Sequence, residues 1–167
     1  AIVDGTPSDL DLAAYSDDAL VACGGAGAID AYYTFTLTAQ RFVKDGLWMT
    51  PTLIRVRTME FGDDPTYRHD PNLRYVPVKT RQLWEEMAQQ FPQIVTPDRR
   101  AMLKRFWALQ LRLTKLLAET GVAMMTGTDS GGAGHWEISG VALHREIDLL
   151  QQARLKPLTI LQMTTLN

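Results

Sequence analysis

The sequence predicts an α/β fold with parallel strands, and three observations carry that prediction. Two short apolar runs, LWMTPTLI (47–54) and VAMMTGTDS (122–130), read as strands buried on both faces. Segments with helical periodicity lie before, between and after them. The order helix, strand, long loop, helices, strand, helix is that of parallel strands joined through helical crossovers. At 167 residues the chain is about one domain's worth.

Residues 1–30 have no clean period and form an acidic, Gly/Ala-rich irregular segment. ACGGAGA (22–28) within it reads as a flexible loop; as a phosphate cradle it lacks the Lys-Ser/Thr ending. A first helix is expected after Asp30 as N-cap. TLTAQRFVKDG (36–46) sets Leu37, Arg41 and Lys44 apart from Phe42 and Val43, and Gly46 suits a C-terminal stop. The first strand follows at 47–54, and Pro51 should end or bend it because proline gives no ladder donor. Residues 55–79, with Pro65, Pro71 and Pro77, read as one long loop without regular structure. Thr80 caps a short helix, RQLWEEMAQQF, that stops before Pro92. Thr96-Pro97 is a strong helix start, and the helix should run to Thr120 with Gly121 closing it. On a helical wheel Met102, Leu103, Phe106, Leu109, Leu113, Leu116 and Leu117 gather on one side. Arg100, Lys104, Arg105, Arg112 and Lys115 form the wet back. The second strand spans 122–130 and runs into a glycine loop. Ser139 precedes a helix through GVALHREIDLLQQARL, in which Leu143, Ile147 and Leu150 keep helical spacing, and Lys156-Pro157 opens a last one.

Composition narrows the class. Hydrophobic residues make up 46% and charged ones 22%, an ordinary soluble globular balance. No apolar run reaches the roughly 18 residues of a membrane span, so no membrane partner is expected. The net charge of −2 argues against a nucleic-acid partner. A single cysteine, Cys23, excludes an internal disulfide and an all-Cys zinc site. Residues 1–40 carry six Asp and no Lys or Arg, which reads either as a solvated acidic loop or as a segment lying near a cation. The chain does not open with Met, as expected of a processed, excised or incompletely described chain.

The run MMTGTDSGGAGHW (124–136) has two chemical readings. Around Ser130, TDSGG looks like a serine-protease nucleophile loop. That reading needs a His base and an Asp behind it, and only His69 lies upstream, among Pro and Asp. No G-x-S-x-G elbow is present, since Thr128 and Gly132 flank Ser130. Around Asp129, the run is the carboxyl end of a buried strand, where barrel enzymes place their chemistry. A carboxylate there binds metal or takes a proton from water; a turn-capping Asp is the plain alternative.

The joint run AETGVAMMTGTDSGG…ISGVALHREIDLLQQARLKPLTILQMTTLN resembles the closing portion of metal-dependent amidohydrolases, in the prolidase-like and imidazolonepropionase-like branch. FVKDGLWMTPTLI resembles the seventh strand of that barrel, and DDPTYRHDPNLRYVP an insertion after it. The resemblance covers roughly residues 35 to 167. It implies an incomplete (β/α)8 barrel, strands seven and eight with their helices, and hydrolysis of a C–N bond in a small amide or dipeptide-like substrate. It makes Asp129 the metal-ligand and proton-shuttle carboxylate, with a divalent metal, zinc above all. His144-Arg145-Glu146 matches a helix motif of structural or substrate-side role. The family's His-x-His pair, its bridging Lys and its later His ligands are absent: the three His are His69, His135 and His144.

Residues 1–167 are therefore expected to form one partial domain whose partner is a missing N-terminal barrel portion or another copy. Tyr67, Arg68, Arg74 and Tyr75 suit a mobile substrate lid. His135 and Trp136 are substrate-contact candidates, against the plain reading of an exposed loop His beside a packing Trp. The competing class is a binding or assembly fragment that pairs with another chain and catalyses nothing.

Overall fold

The computed structural model describes residues 26–131 and 136–167, with the backbone alone for 26–34. Cys23, most of the acidic segment and most of the ACGGAGA run lie outside the described residues. Among those described the fold is α/β, mostly helical, with two short parallel strands. No described helix is long and apolar enough to cross a membrane.

Helix α1 (Ala26–Lys44) starts before Asp30, so Asp30 lies inside it and is not its N-cap. It closes as expected at Gly46, whose φ of 65° lets its N–H reach the Val43 carbonyl and the Leu47 N–H reach that of Phe42. Strand β1 (Trp48–Met49) follows at once and pairs in parallel with β2 (Ala123–Met124), Trp48 opposite Ala123 and Met49 opposite Met124.

Both strands are far shorter than the apolar runs predict, and each ends for a local reason. After β1, Pro51 gives no donor and Thr52 turns the chain through a left-handed φ of 46°. Leu53 and Ile54 then open helix α2 (Leu53–Glu60) instead of extending the strand. Thr52 does not cap this helix with its side chain. Glu146, from a distant helix, does: Oε1 accepts from the Leu53 N–H at 3.0 Å and Oε2 from the Ile54 N–H at 2.6 Å. After β2, the Thr126 N–H goes to the Met163 carbonyl at 3.0 Å, and Asn167 Nδ2 donates to the Met124 carbonyl at 2.8 Å. The outer side of β2 is thus taken by the chain's last turn. Met49 spends its bonds on β2. Ladder alternation therefore points the backbone groups of Trp48 and Thr50 to the outer edge of β1, where Trp48 is 53% exposed.

The stretch 55–79 is not an irregular loop. Beyond α2 it holds α3 (Pro65–Arg68) and a 3-10 turn (Pro71–Tyr75), and Pro77 leads into α4 (Val78–Ile94). Two of its prolines follow a capping aspartate: Asp64 accepts from the Thr66 N–H and Asp70 from the Asn72 N–H. Proline pre-sets the first helical residue, so Asp-Pro here is a start signal and not a breaker. α4 starts before Thr80 and carries Pro92 inside its last turn, extending to Ile94.

Helix α5 (Pro97–Thr120) matches the expectation at both ends: Thr96 Oγ1 accepts from the Arg99 N–H, and Gly121 closes it at φ 90°. Its buried side is rotated from the expected stripe. Trp107, Thr114 and Leu117 are buried, with Leu103, Leu111 and Leu113 packed beside them, while Met102 is exposed. The rotation follows from Trp107, whose ring lies 5.6 Å from the Arg57 guanidinium of α2. The back is not wholly wet, since Arg100 pairs with Asp63. Helices α6 (Val141–Gln152) and α7 (Pro157–Thr165) follow β2.

Helix α1 packs on α5, α2 on α5 and α6, and α6 on α7. The main core joins Leu53, Trp107, Leu117, Met124 and Leu150. A second cluster, Tyr67, Val76, Trp84, Ala88, Trp136 and Ile138, holds the 65–88 excursion down.

Between α2 and α5 sits a buried carboxyl–amide pair. Gln110 Nε2 donates to Glu60 Oε1 at 2.9 Å, while Glu60 Oε2 and Gln110 Oε1 are both buried without partners among the described residues. A neutral, protonated Glu60 lowers the cost of burying this carboxyl. Burial pushes the Glu60 carboxyl up to about 7, against the opposing pulls of Gln110 and Arg57. The folded chain then binds a proton that the unfolded chain has lost between pH 4.5 and 7, so stability falls with rising pH across that window and levels off above it. The full loss is about 3 kcal/mol. Glu60→Gln supplies a neutral donor in the same shape. Urea melts at pH 5 and 8 should show the variant close to the parent chain at pH 5 and about 2–3 kcal/mol more stable at pH 8; an unchanged pH dependence would show that Glu60 takes up no proton there.

Candidate active site

Parallel pairing brings the carboxyl ends of β1 and β2 to one edge. The two chains leave that edge almost touching: a Cβ on Gly127 would stand 2.5 Å from Thr50 Cγ2, so only glycine passes. Both exits are strained, Thr52 at φ 46° and Asp129 at φ 54°. Left-handed non-glycine residues cost of order 1–3 kcal/mol and gather at functional sites.

Three charged side chains converge there. Arg55, from the first turn of α2, places Nε 3.7 Å from Asp129 Oδ2 and Nη1 3.3 Å from Glu137 Oε1. The Asp129 side chain is 71% exposed, that of Arg55 26% and that of Glu137 1%. Thr58 Oγ1 donates to Glu137 Oε1 at 2.9 Å, and Glu137 Oε2 is buried without a partner among the described residues. Burial raises the Glu137 carboxyl above its ordinary value, with a smaller push from Asp129; Thr58 and Arg55 oppose it. The arrangement offers an open carboxylate at a strand end, a guanidinium 3.7 Å from it, and a buried acid on the guanidinium's other side. An open carboxylate in such a frame can take a proton from an attacking water.

Ser130 stands next to Asp129 and has no such frame. Its hydroxyl donates to Thr128 Oγ1 at 2.8 Å, with no His or carboxylate bonded to it among the described residues. His69, the upstream His, follows the short helix α3 and bonds its Pro65 carbonyl through Nδ1 at 2.7 Å.

The other sequence-derived candidates scatter. His135 lies outside the described residues. Trp136 is 3% exposed: its indole N–H donates to the Gly62 carbonyl at 2.7 Å, Tyr67 stacks on it at 6.4 Å and Trp84 lies tilted at 5.7 Å. Trp136 and Tyr67 therefore pin the excursion to the glycine loop. The excursion expected as a mobile lid is a set of short helices resting on this aromatic cluster. Arg68 pairs with Glu85 at 3.1 Å. Arg74 and Tyr75 are exposed and cover one another, with the guanidinium 4.7 Å from the ring centre. His144 is exposed on α6. Its neighbours serve the fold: Arg145 pairs with the buried Asp70, and Glu146 caps α2.

The described residues do not fit a metal ion on their own. No group of three or more His, Cys, Asp or Glu among them could hold one. Asp129 faces a guanidinium, which already supplies positive charge.

Sequence reasoning missed Arg55, Thr58 and Glu137. The signal for Arg55 was present: it is the first charge after an apolar run, at a strand's carboxyl end. Glu137 carried none, because its meeting with Thr58 depends on how the glycine loop returns to α2. No protein-family model matches this chain, and neither a curated protein nor a solved structure gives a match.

Proposed function

We propose that the chain is the C-terminal part of a (β/α)-barrel hydrolase of amidohydrolase type, acting on C–N bonds of small amide or dipeptide-like substrates. One observation carries the reading: the carboxyl edge of a parallel strand pair presents Asp129 as an open carboxylate held by Arg55. Asp129 takes the proton of the water that attacks the amide carbonyl and returns it to the leaving nitrogen. Arg55 lies beside Asp129 as its ion-pair partner. Zinc, or another divalent metal, enters this proposal as an ion that Asp129 would help to hold, with the remaining ligands contributed by the preceding strands. The test is amide hydrolysis by the intact barrel carrying Asp129→Asn beside Ser130→Ala.

A second reading has its own support. The outer edge of β1 exposes Trp48 and carries backbone groups with no partner among the described residues, which suits an assembly fragment that adds strands from another chain. The same two substitutions separate the readings, because an assembly fragment loses no activity through either.

A further inference from the structure

The strand pair has one closed edge and one open edge. At β2 the Met124 carbonyl accepts from Asn167 Nδ2 at 2.8 Å, and the Thr126 N–H donates to the Met163 carbonyl at 3.0 Å. The chain's own last turn thus occupies the groups through which a further strand would pair there. At β1 the backbone of Met49 faces β2, and the N–H and C=O groups of Trp48 and Thr50 point the other way without partners among the described residues. Trp48 is 53% exposed, and Leu47 just before it 45%. Edges that stay single are guarded by charge, a bulge or a proline. Trp48 and Thr50 bring no charge, and by the same alternation Pro51 falls on the side of β2.

The open groups complement themselves. With a two-fold axis through Met49, two copies of β1 run antiparallel, and Trp48 of each lies opposite Thr50 of the other. Each such pair exchanges both N–H···O=C bonds, which satisfies every open group of the edge. It also sets an aromatic ring beside a β-branched side chain, a favourable cross-strand pair. Because the edge of β2 is closed, growth stops at the dimer and no fibre follows. We propose that a second copy of this chain docks on the open edge of β1 and makes one continuous sheet across the two-fold axis. The proposal rests on the second reading above, that the chain adds strands from another chain, and names that chain.

Sedimentation equilibrium of the full chain tests it, with amide hydrogen exchange measured on the same samples. A monomer–dimer equilibrium is expected with a dissociation constant of about 1–100 µM, the range of a small interface. Trp48→Glu adds charge to the edge and Thr50→Pro removes a donor from it. Each should raise the dissociation constant at least about tenfold. Leu158→Glu alters an exposed leucine on α7 and should leave it unchanged. The Trp48 and Thr50 amides should exchange at least about tenfold more slowly in the dimer than in the dilute monomer. A dimer indifferent to both edge variants, or dissolved equally by Leu158→Glu, would overturn the proposal. A monomer whose Trp48 and Thr50 amides exchange freely would overturn the second copy as partner and leave the strand-adding reading standing. A monomer with those amides protected would sink both, since the edge would then be covered from within. Exchange on the unaltered chain decides the matter even if an edge variant fails to fold.

Discussion

Asp129→Asn in the proposed parent hydrolase should lower kcat for amide hydrolysis by about 10²–10⁴-fold, the usual cost of losing a general base. The asparagine keeps the size and left-handed preference that φ 54° demands, so the fold should survive. What it removes is the charge that Arg55 faces at 3.7 Å and the basicity that accepts the proton. Ser130→Ala should change kcat by less than about threefold, because the serine hydroxyl has only Thr128 to bond and no base to activate it. Serine-directed fluorophosphonates should not label the protein. The account is wrong if Ser130→Ala inactivates the enzyme while Asp129→Asn turns over normally.

Glu146→Ala should destabilise the fold by about 3–5 kcal/mol, the scale of stripping the partner from two buried donors. Glu146 is fully buried, and its two oxygens take the Leu53 and Ile54 N–H groups. Those groups open α2 and cannot reach water when the carboxylate is gone. Burial raises the Glu146 carboxyl, and the two N–H donors pull it back down. Glu146→Gln retains one acceptor and turns an amide N–H₂ toward a donor, so it should cost roughly half as much. Urea melts give both numbers. The loss should also reach the active edge, because α2 carries Arg55 and Thr58: fluorescence of the Trp136 cluster should change before the main transition. Alanine at 146 with a melt like the parent's would mean that α2 is capped by something else.

Much of the helical part of this fold is written locally. Thr96-Pro97 and Gly121 mark both ends of α5, and Lys156-Pro157 opens α7, because caps and prolines act on their neighbours alone. The strands are not written locally. LWMTPTLI has the apolar content of a buried strand, yet its last two residues open a helix whose first N–H groups are capped by a carboxylate ninety-odd residues away. Asp64-Pro65 and Asp70-Pro71 were legible as helix starts and were outweighed by the proline count. Of the candidate site, Asp129 could be read from its place after an apolar run and before glycines. Arg55 and Glu137 join it only through the crossing of two chains at Gly127. The aromatic residues of the excursion were visible as a group, but their role as an anchor depends on Trp136 folding back under α4.

Zinc content, measured by atomic absorption on the purified chain and on the intact barrel, tests the central claim most directly. In the proposed hydrolase this chain brings one carboxylate to a site whose other ligands lie elsewhere. The chain alone should hold well under one equivalent, the intact barrel should hold zinc in stoichiometric amount, and Asp129→Asn should lower that amount. Stoichiometric zinc in the isolated monomeric chain, or an intact barrel whose zinc content is indifferent to Asp129→Asn, would contradict it.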